Sequence, residues 1–189
     1  MSGSAWRLFA ALVPSDDAIA DLDAAVAPHR SAWDTLRWTP CGTWHLTGAF
    51  FGDVAEARVS DLSTRLSRVA ARHAALSLQF SGCGAFSRPA RATVLYAGVS
   101  GALPQLRALA DSCAAAGRRV GLAMEGRAYR PHLTLARARG RAPVDMRRLV
   151  AELDGYVGPT WTSSEIVLMR SHLGPPLRHE PLGRWSLTP

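Results

Sequence analysis

The tripeptide His-Leu-Thr occurs twice, as His45-Leu46-Thr47 and as His132-Leu133-Thr134, each time inside a largely apolar run. In an extended strand alternate side chains share a face, about 6.5–7 Å apart. Histidine and threonine of each copy therefore point one way, and the leucine between them points into the opposite layer. If the two strands lie close together, four polar side chains line one cleft.

The rest of the chain supplies elements for such a fold. Trp6 to Val13 reads as a buried strand ending at Pro14. Ser15 is placed to cap a helix running to about Ala27, with Asp16 and Asp17 in its first turn. A second strand is predicted from Thr43 to Phe51 and a helix from Ala55 to His73, with Val59, Leu62, Leu66 and Val69 on one face. Strands follow at Leu76–Phe80 and Thr93–Val99, and glycine and proline mark Gly82–Pro89 between them as a loop. A helix from Pro104 to Ala116, a strand from Arg127 to Ala138 and a short helix from Val144 to Leu153 come next. Trp161–Met169 and Glu180–Leu187 close the chain as strands. The order predicts an α+β fold of two similar halves, mostly antiparallel sheets covered by helices on one side. Residues 1–189 are expected to form one domain, since no linker or low-complexity tract divides them.

Composition narrows the setting. No uninterrupted apolar run approaches the roughly 18 residues of a membrane span, and the first residues lack a secretory pattern, so a cytoplasmic protein is expected. Cys41, Cys83 and Cys113 fit neither a zinc spacing nor a disulfide framework. The net charge of +7 favours phosphate-bearing partners. All 22 basic residues are arginine, beside abundant alanine, which reads as coding bias and makes the charge mild support only. Arginine is nonetheless the better residue for forked contacts to phosphate oxygens.

Two histidines and two threonines suit the hydrolysis of a cyclic phosphodiester. One imidazole can take a proton from water while the other gives one to the departing ribose oxygen. The hydroxyls can donate to the non-bridging oxygens, where charge builds. No carboxylate cage for a metal is evident, and neither metal nor cofactor is expected.

These residues carry a resemblance. Arg7–Pro14, Trp44–Gly52, Thr93–Val99, Tyr129–Arg137 and the tail at Ile166–Ser171 and Glu180–Leu182 resemble the RNA 2′,3′-cyclic phosphodiesterase (2′,5′ RNA ligase-like) family of the two-histidine (2H) phosphoesterase superfamily. The resemblance implies two pseudo-symmetric lobes with a central cleft, one tripeptide from each. It implies conversion of an RNA-terminal 2′,3′-cyclic phosphate to a 2′-phosphate, His45 being the proton donor to the 3′ oxygen and His132 the base. Thr47 and Thr134 would hold phosphate oxygens. Arg130 and Arg137 flank the second motif, and a strict strand count ranks Arg130 higher because it shares the face of His132. Phe9 is a candidate to pack against base or ribose. RNA ends or nucleotides bearing the cyclic phosphate are the expected partners, with a monomer as the expected state.

Two positions depart from the family pattern. Gly48 replaces a bulky apolar residue, which predicts looser packing. His179 stands near a customary tyrosine after Gly174-Pro175-Pro176, which leaves that substrate contact open. Elsewhere, His29 and His73 read as surface or capping residues, and His172 with His179 as part of a loop overhanging the cleft. Trp38, Trp44, Trp161 and Trp185 read as packing residues. Arg118-Arg119 and Arg137, Arg139, Arg141 fit an RNA-binding edge or a solvated face equally well. The competing readings are 2′,5′ ligation, cleavage of another cyclic or 2′,5′-linked nucleotide, and a non-catalytic RNA- or nucleotide-binding module.

Overall fold

The computed structural model describes residues 4–140, 142–172, 174 and 177–189. Strand β1 (Ala5–Leu12) is followed by helix α1 (Asp16–Val26), whose first turn is capped by the Ser15 hydroxyl accepting from the Ala18 amide. Such a cap is worth about 1 kcal/mol. Then come β2 (Leu36–Trp38), β3 (Leu46–Ala55) and α2 (Glu56–Ala70). The long hairpin β4 (Leu76–Arg88) and β5 (Arg91–Gly101) leads to α3 (Leu103–Arg119), β6 (Leu133–Ala138) and α4 (Arg147–Leu153). Strands β7 (Val157–Ser163), β8 (Glu165–His172) and β9 (Arg178–Ser186) finish the chain.

The strands form two antiparallel sheets, in the orders β3-β1-β8-β9 and β2-β6-β5-β4-β7. Helices α2 and α3 pack on the four-stranded sheet, and α1 and α4 mainly on the five-stranded one. The α+β, two-lobed architecture is as expected, but neither half of the sequence makes a lobe by itself. Strand β1, central in its sheet, hydrogen-bonds both β3 and the distant β8, so each sheet draws strands from both halves. Leu8, Ala10, Leu12 and Leu46 lie in the core on one side of the first sheet, and Leu95, Leu133 and Leu135 in that of the second. Each buried leucine contributes roughly 1.5–3 kcal/mol of transfer free energy.

Several local expectations change. Gly82–Arg88 is strand, not loop. Gly82, at φ 67°, sits in a bulge between Phe80 and Cys83 that lets β4 continue, so the glycine bends the strand instead of ending it. The predicted strand at Trp161–Met169 is two strands in different sheets, separated at Ser164. The strand expected from Arg127 begins at Leu133, because Pro131 has no N–H to give a ladder. Among the described residues no helix is long and apolar enough to cross a membrane.

Candidate active site

Both histidines sit one residue ahead of their strands, on the two facing sheets. Leu46 and Leu133 are fully buried behind them, which holds His45, Thr47, His132 and Thr134 toward a shared cleft of about 320 Å³. The two imidazoles are oriented alike. His45 Nδ1 is 2.8 Å from the Thr43 carbonyl, and His132 Nδ1 is 2.7 Å from the Arg130 carbonyl. A carbonyl oxygen only accepts, so each Nδ1 carries its proton and each Nε2 is left for chemistry. At His45 the free Nε2 is 3.1 Å from the Thr47 hydroxyl, which donates to it when the ring is neutral.

Each ring is also held by an aromatic pair. His45 stacks on Phe9 at 4.7 Å between centroids and meets His179 edge-on at 5.1 Å. His132 meets Phe86 edge-on at 4.9 Å and Tyr96 at 5.5 Å. The Phe86 and Tyr96 rings stack on each other at 4.5 Å. Tyr96 reaches this position by crossing Gly84, where a β-carbon would come within 2.3 Å of its hydroxyl oxygen.

Burial dominates the electrostatics. It lowers the His45 pKa to about 4, with added opposition from His179 and His132 and partial relief from the Thr43 carbonyl. The His132 pKa is lowered by burial first, then by Arg137 and Arg130, against the Arg130 carbonyl. Both rings are therefore neutral at neutral pH in the free protein. The cleft is nonetheless cationic. Arg37 and Arg137 pair in register across β2 and β6, line the cleft, and have no ion-pair partner among the described residues. Partial burial, and then the neighbouring Arg37 charge, lower the Arg137 pKa. The arrangement offers two Nε2 atoms, two hydroxyls and two guanidinium groups to one anion.

A family model described as the 2′-5′ RNA ligase superfamily matches residues 14–175. The chain belongs to this superfamily. A protein of Aeropyrum pernix named RNA 2′,3′-cyclic phosphodiesterase is 33% identical over 97 residues, 51% of this chain and 54% of that one. One of the same name from Geobacillus stearothermophilus is 29% identical over 178 residues, 87% of this chain and 54% of that one. The chain thus spans about half the length of the curated relatives it matches. The fold is that of E. coli LigT, at TM-score 0.77, 24% identity and coverage of 99% and 100% of the two chains. LigT complexed with 3′-AMP matches at TM-score 0.79, 24% identity and coverage of 98% and 100%. A structure from Thermus thermophilus gives TM-score 0.76, 24% identity and coverage of 96% and 97%.

Within this superfamily member the structure reverses the ranking of the two flanking arginines. Arg137 lines the cleft with the histidines, whereas the Arg130 guanidinium lies 5.3 Å over the Phe86 ring and borders the neighbouring groove. A bulge explains it: Tyr96 pairs Thr134 and Leu95 pairs Ala136, so Leu135 is extra and strand parity shifts before Arg137. Phe9 lines the cleft as expected. His179 lines it too, while His172 lies outside it, its Nε2 hydrogen-bonded to the Glu180 carboxylate at 2.7 Å. Gly48 is buried, and a β-carbon there would meet only Ala10 and Leu12 at ordinary contact distances of 3.6 and 3.7 Å. His29 pairs Glu152 and His73 bonds Ser112, away from the site. Trp44 is buried, donates to the Thr39 carbonyl and borders the cleft. Trp161 packs on Phe80 in the core. Arg139 is spent on the Asp34 and Leu36 carbonyls, and Arg141 lies outside the described residues, as do Pro175 and Pro176.

Sequence reasoning missed Arg37, Phe86 and Tyr96. Arg37 lies on the short strand β2, which carries no periodic signal. Phe86 lies in the segment expected to be a loop, although the aromatic pair Phe80 and Phe86 offered a strand signal. Among the described residues no three His, Cys, Asp or Glu side chains gather where they can hold a metal.

Proposed function

We propose that this cleft hydrolyses an RNA-terminal 2′,3′-cyclic phosphate to a 2′-phosphate. The observation that carries the reading is the matched pair of imidazoles, each with Nδ1 tied to a carbonyl and Nε2 facing a cleft with two hydroxyls and two arginines. The names of the curated relatives and the 3′-AMP bound by LigT point to the same chemistry.

In this reading His132 Nε2 takes a proton from water as its oxygen bonds to phosphorus. The substrate phosphate favours the charged form of His45, which takes a proton on Nε2 as the ligand binds. The P–O3′ bond breaks, and His45 Nε2 delivers that proton to O3′. Thr47, Thr134 and Arg137, joined by Arg37, hold the non-bridging oxygens as their charge rises. Phe9 and His179 flank the ribose of the terminal nucleotide. The chain would act as a monomer, as one two-lobed unit over residues 1–189, in the cytoplasm.

The test is turnover of a 2′,3′-cyclic nucleotide with chelator present, with the product identified. His45→Ala and His132→Ala are expected each to lower the rate by about 10²–10⁴-fold with unchanged circular dichroism. A 3′-phosphate product, or near-wild-type turnover in either variant, overturns the proposal.

A further inference from the structure

Beside the cleft lies a larger groove of about 950 Å³, open to solvent and sharing Thr47, Phe50 and His132 with it. One wall is α3, with Arg118 near its end, and another is the segment Met124–Arg130. Phe86 of β4 closes the side next to His132. The pair Arg118-Arg119 is split by the helix: Arg118 enters this groove, and Arg119 the crevice between α2 and α3.

Three features bear on what this groove takes. Arg118, Arg127 and Arg130 have no ion pair among the described residues, although the carboxylates of Asp111 and Glu125 also border the groove. Phe50, 42% exposed, stands at the junction of the two cavities with the Arg7 guanidinium 4.7 Å over its ring. His132 is reached from both cavities. An exposed aromatic ring among unpaired arginines is the combination that binds a single strand, with bases stacking and phosphates meeting guanidinium groups.

We infer that the groove takes the single-stranded RNA on the 5′ side of the reacting nucleotide, the terminal cyclic phosphate lying at the His45–His132 cleft and the preceding two or three nucleotides running past Phe50 toward Arg127 and Arg118. This rests on the proposed function for the placement of the RNA end. The continuity of the two cavities through His132 sets the direction. The groove is about three times the volume of the cleft, room for more than one nucleotide. The enzyme is then selective for oligonucleotide ends over free cyclic nucleotides.

The test compares 2′,3′-cyclic AMP with a tetranucleotide ending in a 2′,3′-cyclic phosphate, on the wild-type protein and on Arg118→Ala/Arg127→Ala. Both side chains are exposed and stand outside the catalytic cleft. The tetranucleotide is expected to have a kcat/KM at least tenfold higher in the wild type. The double variant should lose most of that advantage and leave the mononucleotide rate unchanged. Equal kcat/KM for the two substrates, or an equal fall on both in the variant, overturns the inference. If neither substrate is turned over, the proposed function fails, and binding of a fluorescent tetranucleotide 2′-phosphate still decides the groove. About tenfold weaker binding in the double variant, with a shallower salt dependence, supports it, and unchanged affinity overturns it.

Discussion

The imidazole of His179 stands edge-on to that of His45, ring centroids 5.1 Å apart and planes at 87°. His179 also meets Phe9 edge-on at 5.0 Å, so the three rings form one wall of the cleft. A titratable ring thus stands against the His45 imidazole, and its charge opposes that of His45. The His179 pKa is itself lowered, by burial and then by His172.

Replacing His179 by Phe keeps a ring against Phe9 and removes the opposing charge. Burial, the larger cause of the shift, stays in H179F, so losing the smaller opposition from His179 is expected to raise the His45 pKa only part of the way from about 4. Titration of the His45 ring protons by NMR reads this directly. If His45 is the acid, the alkaline limb of the pH–rate profile moves upward with it. An unmoved His45 titration would show that the two rings do not communicate.

Ligand binding should take up protons. In the free protein both imidazoles are held neutral by burial, His45 down at about 4 and His132 below its usual range. A 2′-phosphate dianion in the cleft favours the charged imidazole and raises these values. Binding of 2′-AMP near pH 6 is therefore accompanied by proton uptake, and its affinity falls as pH rises. Calorimetry in two buffers of different ionisation enthalpy measures the uptake; a value of zero contradicts the placement of the phosphate against the rings.

Thr47→Val removes the hydroxyl 3.1 Å from His45 Nε2 while keeping the shape of the side chain. Loss of one donor to the developing charge costs about 10²-fold in kcat. Thr134→Val should behave similarly, with KM changed less than kcat in both. Steady-state kinetics on the cyclic substrate check this, and a fall confined to KM would assign the threonines to ground-state binding.

Two glycines in strands should respond to alanine in opposite ways. At Gly84 the new carbon collides with the Tyr96 ring that backs His132, and overpacking of this kind costs about 1–3 kcal/mol. Gly84→Ala is expected to lower both the denaturation midpoint and activity. At Gly48 the carbon finds ordinary contacts with Ala10 and Leu12, and the loss of chain entropy in the unfolded state favours alanine by about 0.4–1 kcal/mol. Urea denaturation of the two variants separates these signs.

The sequence by itself determined which residues share a face. Period-two alternation around Leu46 and Leu133 aligns each histidine with its threonine, and that rule needs only covalent geometry and a buried leucine. It also placed the principal helices, because their apolar stripes and the Ser15 cap are local signals. Tertiary structure decided everything that depends on pairing. The bulge at Leu135 exists only because β6 hydrogen-bonds β5, and it brings Arg137 into the cleft where a strict count excluded it. Arg37 is recruited by its register with Arg137, and His179 by pairing with Ser171. Strand register between distant segments is set by the total burial and hydrogen bonding of two sheets, which no local run of residues encodes.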